Sequence, residues 1–156
     1  MKYVTSGGIY RLFKAEDEGT IVRKNNVRRL AIENDIPHIL TCNVIMIDSE
    51  AFIQRVNPYK IQEHDYIVPR MRCIRDCAKE WNRNRKSGDR FIHPDEIYEF
   101  LQTNKTVFKY YCGNKWIVNY DQLLPYLRKM SEKESVKWQE YMQRIGVENT
   151  KTPRKK

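Results

Sequence analysis

The 156-residue chain has no run of about 18 or more apolar residues, the length a helix needs to cross a bilayer. Its opening stretch, MKYVTSGGIYRLF, lacks the long apolar segment of a secretory leader. The four cysteines are few and scattered, unlike the disulfide framework of a small secreted domain. These absences predict a cytoplasmic protein with reduced thiols and no membrane partner. There is no Walker loop, no GxSxG and no HExxH. The three histidines are isolated and none has an evident nucleophile beside it. Asp95, Glu96 and Glu99 cluster where a helix starts, and capping explains them. Cys73 and Cys77 lie four apart, with His64 and His93 near in sequence, but the spacing is not that of a zinc knuckle and there is no second cysteine pair. They read as buried free thiols. The expectation is a protein that is not an enzyme and carries neither cofactor nor metal.

What the chain does have is positive charge. Lys and Arg number 29 against 20 Asp and Glu, a formal net charge of +9. A surface this basic attracts polyanions, with nucleic acid the usual partner. Hydrophobic residues make up 40% of the chain, enough for one ordinary core or two thin ones.

Thr5 and Ser6 can cap a first helix with Ile9, Leu12 and Phe13 on one face. Asn25 and Asn26 are N-cap candidates for a second, whose apolar stripe is Val27, Leu30 and Ala31 and whose start is ringed by Arg23, Lys24, Arg28 and Arg29. Asn34, Asp35 and Pro37 stop it. His38 to Leu40 and Val44 to Ile47 read as strands of a hairpin. Asp48 or Ser49 then caps a helix with Ala51, Phe52 and Val56 inward.

Residues 70–85 also have helical spacing, with Met71, Ile74, Ala78 and Trp81 on one face. A further unit opens at His93-Pro94-Asp95-Glu96. Asn104 or Thr106 can start a short helix carrying Val107 and Phe108, and Gly113-Asn114 joins a second hairpin. Asn119 caps a helix with Leu123, Leu124 and Leu127, and Ser131 with Glu134 has capping-box spacing for a last one.

Val44 to Val56 aligns with Lys115 to Leu127, with Asp48 over Asn119 and Phe52, Ile53 and Val56 over Leu123, Leu124 and Leu127. That pattern suggests an internal duplication, against the alternative that strand-cap-helix recurs by chance. Upstream, the only segment in the place of the basic helix is residues 105–111, and the match fails.

Helix, basic helix, hairpin, helix is the order of a winged helix-turn-helix. Val27-Arg28-Arg29-Leu30-Ala31, then Ile36-Pro37-His38, then Ile47-Asp48-Ser49-Glu50-Ala51-Phe52, resembles the excisionase-like and MerR-like winged-helix domains. Asp95 to Leu101, Gly113 to Trp116 and Tyr120 to Leu124 resemble the same family in a second, degenerate copy. The first turn departs from the family in carrying Cys42-Asn43 where glycine is usual.

The expected fold is α+β and mostly helical, with tandem winged helix-turn-helix-like units at 1–58 and 91–130, a connector with a basic helix at 59–90, and a C-terminal helix and basic tail at 131–156. The resemblance implies duplex DNA binding of the kind used in mobile-element recombination or transcription regulation, with a homo-oligomer or a recombinase or regulatory protein as a further partner. The DNA-binding set is Arg23, Lys24, Asn25, Asn26, Arg28, Arg29 and, on the wing, Asn43. Arg72, Arg75, Lys79 and Arg83 form a secondary basic patch, which reads either as a phosphate track or as a solvated helix face. The alternative function is a protein-interaction or assembly module, with the aromatic second unit and Trp138, Tyr141 and Met142 binding protein.

Overall fold

Thr5 ends a three-residue strand, β1 (Tyr3–Thr5), and its hydroxyl accepts from Gly8 N at 3.0 Å to cap α1 (Ser6–Glu16). Ile9 and Phe13, four apart, are fully buried, whereas Leu12 is 40% exposed on the flank. In α2 (Lys24–Glu33) the inward stripe is Val27, Leu30 and Ala31. The N-cap is Arg23 rather than Asn25 or Asn26. Its backbone N–H donates at 2.8 Å to Oδ1 of Asn26, which sits one turn into the helix. β2 (His38–Thr41) and β3 (Val44–Asp48) are antiparallel, and β1 pairs with the other side of β3. Asp48 Oδ1 accepts from Ala51 N at 3.1 Å and caps α3 (Ser49–Val56), which buries Phe52, Ile53 and Val56.

Cys42 and Asn43 join the hairpin with φ of 47° and 69°. A two-residue turn with both φ positive matches the twist of its strands, but a side chain at the first position strains it. Gly113-Asn114 makes the same turn in the second hairpin with the relaxed residue. Cys42→Gly should raise stability by about 0.5–1 kcal/mol, less than the strain removed because glycine loses more entropy on folding. Urea denaturation of the two proteins reads the difference directly.

In this computed structural model, which describes residues 3–57 and 67–132, the same order of elements is then repeated. It runs β4 (Met71–Cys73), α4 (Ile74–Asn84), α5 (Pro94–Thr103), β5 (Lys109–Cys112), β6 (Lys115–Asn119) and α6 (residues 120–132), with sheet order β4-β6-β5. Corresponding elements up to the closing helices agree in length: 3 residues in β1 and β4, 11 in α1 and α4, 10 in α2 and α5, 4 in β2 and β5, 5 in β3 and β6. Buried positions correspond as well: Phe13 with Trp81, Val27 with Ile97, Ala31 with Leu101 and Ile47 with Val118.

Four sequence expectations change. The second unit begins at Met71, not at residue 91, because Met71 to Cys73 pair with Asn119 to Ile117 and the helix read as a connector is the first helix of this unit. The counterpart of α2 is α5, not residues 105–111, so the likeness of the two units runs their whole length. There is no helix at 104–108: Asn104 Oδ1 accepts from Thr106 N and Val107 N, both at 2.9 Å, and closes a turn. Ser131 lies inside α6 instead of capping a new helix, and its hydroxyl accepts from Arg90 N at 2.8 Å. His64, the helix expected beyond Glu132 with Trp138, Tyr141 and Met142, and the basic tail lie outside the described residues. No helix among the described residues is long and apolar enough to cross a membrane.

The two units share a core. Met71, Cys112 and Ile117 of the second sheet belong to the buried cluster of the first unit, with Phe108 and Tyr110 packed against it. Ile21 N donates to Met71 O at 3.0 Å across this seam. Arg72 reaches back to Asp17, with Nη2 to Oδ1 at 2.9 Å and Nη1 on Oδ2. Asn119 is fully buried and works in both directions. Its Oδ1 accepts from Gln122 N at 3.0 Å to cap α6, and its Nδ2 donates to Val56 O, the end of α3, at 2.7 Å. Asn119→Ala should cost about 2–4 kcal/mol, roughly 1 for the cap and the rest for a buried carbonyl left unpaired. Asn119→Asp keeps the cap but cannot donate, so thermal unfolding of the two variants separates the seam bond from the helix start.

Candidate nucleic-acid interface

The residues expected to meet DNA divide into two sets on α2. One edge faces the seam. Asn26 Nδ2 and Arg29 Nη1 each donate to Cys112 Sγ at 3.4 Å. Arg29 Nη2 also pairs with Glu33 at 3.3 Å, and Tyr110 Oη donates to the other Glu33 oxygen at 2.6 Å. The tyrosine hydroxyl first, and Arg29 after it, hold the Glu33 carboxyl below its ordinary 4.5. Burial and the Glu33 charge push the Tyr110 phenol up, so it remains a donor. Asn26 is therefore a capping and seam residue. The Arg29 side chain, 53% exposed, is tethered within the protein.

The other edge faces outward and carries Lys24, Asn25, Arg28 and Ile32. Lys24 and Asn25 are exposed, Arg28 is half-buried, and Ile32 is 43% exposed. No ion pair holds Lys24 or Arg28 among the described residues, so both cations are available. Arg23 lies just before the helix, but its guanidinium donates to Thr20 O and Val22 O, both at 2.8 Å, and rests over the Tyr10 ring at 5.9 Å. Asn43 is exposed at the tip of the hairpin. That hairpin is apolar as well as polar: Ile39, Leu40 and Val44 are 53%, 55% and 49% exposed.

The same positions in the second copy carry the opposite chemistry. Where α2 has Lys24, Asn25, Arg28 and Arg29, α5 has Pro94, Asp95, Tyr98 and Glu99. The one position retained in role is that of Asn26 and Glu96, each accepting from the backbone N–H of its N-cap residue. Arg90 pairs with Glu96 at 2.6 Å and, ahead of all other influences, keeps that carboxyl ionised below its usual range. An acidic helix start repels phosphate, so α5 is unsuited to a phosphate-lined groove.

The secondary patch is also divided. Arg72 is buried and neutralised by Asp17, with Glu80 3.6 Å from its Nε. Arg83 pairs with Glu80 at 2.8 Å. Arg75 and Lys79 are exposed on α4 and have no ion pair among the described residues. The patch is thus one buried structural cation, Arg72, and three solvent-facing ones, of which Arg83 is paired with Glu80. Sequence reading missed the seam contacts of Asn26 and Arg29, for which Cys112 gave no signal. It could have found the charge inversion of α5 by extending the repeat upstream across a linking loop one residue longer than the first, 104–108 against 34–37.

The geometry defines a tandem α+β protein with two similar helix-plus-hairpin units. No family model, curated protein or solved structure matches the chain.

Proposed function

We propose that the protein binds duplex DNA through the outward edge of α2, as a winged helix-turn-helix of the excisionase-like or MerR-like kind. The observation that carries this reading is the comparison of the two copies. They keep the same fold and core, yet only α2 keeps cations on its outward face. Packing does not require Lys24 or Arg28, since α5 folds with proline and tyrosine in their places. Arg28 and Asn25 have the donors to address base edges, and Lys24, near the helix N-terminus, suits a backbone phosphate. The hairpin tip with Asn43 would lie against the neighbouring backbone. Recombination and transcription regulation are both uses of such a module. The test is duplex binding at two salt concentrations, comparing the parent with variants on the two edges of α2.

A second reading, a protein-assembly module, rests on the first hairpin. Ile39, Leu40 and Val44 expose more apolar surface than a wing lying on phosphates needs. It predicts that charge variants on α2 leave partner binding unchanged.

A further inference from the structure

The second unit contains a cavity of about 240 Å³. It lies between the end of α4, the loop that follows it and the start of α6, and its donors come from Lys86, Tyr120 and Arg128. Tyr120 is 2% exposed, and its hydroxyl has no hydrogen-bond partner among the described residues. Among the described residues the sealed side-chain N or O atom without a partner is Arg90 Nε, and the Tyr120 hydroxyl is not among such atoms. A nine-tenths-buried tyrosine lining a cavity with an unspent O–H offers that cavity a donor. In the first unit the residue at this position is Ser49, so the fold does not demand a phenol here.

The charges around the hydroxyl select its ligand. Arg70 stacks over the Tyr120 ring at 4.9 Å and is held by Asp121, through Nε at 2.9 Å and Nη2 at 2.7 Å, which fixes that wall. Arg128, resting over Trp81 at 5.9 Å, and Lys86 have no carboxylate within ion-pair distance among the described residues. Asp89 is the carboxylate in the cavity lining, its Oδ2 accepting from Lys86 N at 2.8 Å, while Glu80, which also acts on the phenol, is shared by Arg70, Arg72 and Arg83. Burial raises the Tyr120 phenol to about 12, so it is a neutral donor at any physiological pH. Two exposed cations and a buried hydroxyl offer more donors than one carboxylate can accept. A tetrahedral oxyanion satisfies them together. The volume is below that of a drug-sized pocket and suits a phosphoryl group with a small substituent.

We propose that this cavity is a phosphoryl-binding site, with Tyr120, Lys86 and Arg128 as its donors, separate from the outward face of α2. The phosphoryl group can belong to a free phosphoester or to a nucleic-acid backbone, and the experiment separates the two. Isothermal titration of the full chain with inorganic phosphate and with adenosine 5′-monophosphate is expected to show one saturable site. Tyr120→Phe removes only the hydroxyl and should weaken binding about tenfold, as should Arg128→Ala at an exposed position. Asp89→Asn keeps the acceptor for Lys86 N and removes the opposing charge, so it should tighten binding several-fold. Lys24→Ala/Arg28→Ala should leave phosphate binding unchanged, so the outcome does not depend on whether α2 binds DNA. Competition by duplex DNA that is lost in Tyr120→Phe assigns the phosphoryl group to the backbone, and no competition assigns it to a free ester. No saturable binding at about 10 mM phosphate, or the same affinity in Tyr120→Phe and Arg128→Ala as in the parent, overturns the proposal.

Discussion

Lys24→Ala/Arg28→Ala should bind duplex DNA about 30-fold or more weakly than the parent at low salt. Each cation that meets a phosphate or a guanine contributes about 1–3 kcal/mol, and two such losses multiply. The slope of log affinity against log salt should also become shallower by up to about 2, because each phosphate contact releases about 0.9 of a counterion. The seam edge gives the contrast. Arg29→Ala should cost less, since its guanidinium is already engaged by Glu33 and Cys112. In the second copy, Tyr98→Ala should have no effect, although it occupies the position of Arg28. Fluorescence anisotropy with a labelled duplex at two salt concentrations measures all four proteins. Affinity that ignores both salt and the double substitution would sink the DNA reading.

Arg72→Ala should be the most damaging single change to stability, at about 3–5 kcal/mol. The Arg72 and Asp17 side chains are only 9% and 12% exposed, so removing one leaves the other charged and poorly hydrated. The loss is a large share of the 5–15 kcal/mol typical of a folded domain. Arg72 also donates to Met71 O at 3.0 Å, so the substitution frees a strand carbonyl at the seam as well. The pH dependence has a definite sign. Burial alone would raise the Asp17 carboxyl, but the hydrogen bond and charge of Arg72, with Gly19 N, outweigh it and hold the group below its ordinary 3.8. A folded-state value below the unfolded one contributes stability that is fully present above about pH 4 and disappears as pH falls through the lowered value. The parent should therefore begin to lose this contribution as pH falls below about 4. Urea titrations at pH 7 and pH 3 should show a gap between parent and Arg72→Ala that narrows at the lower pH, and a gap unchanged with pH would refute the ion pair as its source.

Local chemistry made much of the fold legible. The stripe of Val27, Leu30 and Ala31, the caps Asp48 and Asn119, Pro94 at a helix start and the Gly113-Asn114 turn all occur where their residue types demand. What failed depended on distant partners or on pieces too short to show a period. Met71, Ile74, Ala78 and Trp81 fit a helical face, but Met71 is in a strand because Asn119, far along the chain, pairs with it. Three strand residues cannot display an alternation that outweighs that face. Asn25 and Asn26 have the right side chains for an N-cap, yet the helix begins earlier and uses Asn26 from inside. The binding set was chosen by charge and position, which cannot tell the seam edge of α2 from its outward edge. That distinction lies in the placement of Tyr110 and Cys112, which come from the other unit.

The shared core bears on whether either half is a module. Repeat proteins divide their stability between what each repeat holds by itself and what it gains from its neighbour. Here the neighbour term is built into the first unit's interior, because Met71, Cys112 and Ile117 complete it. A cut between residues 57 and 67 would not release two small domains. It would leave the first with an open core and the second with an uncovered sheet face. The two units therefore depend on one interior while carrying opposite charge at the starts of α2 and α5.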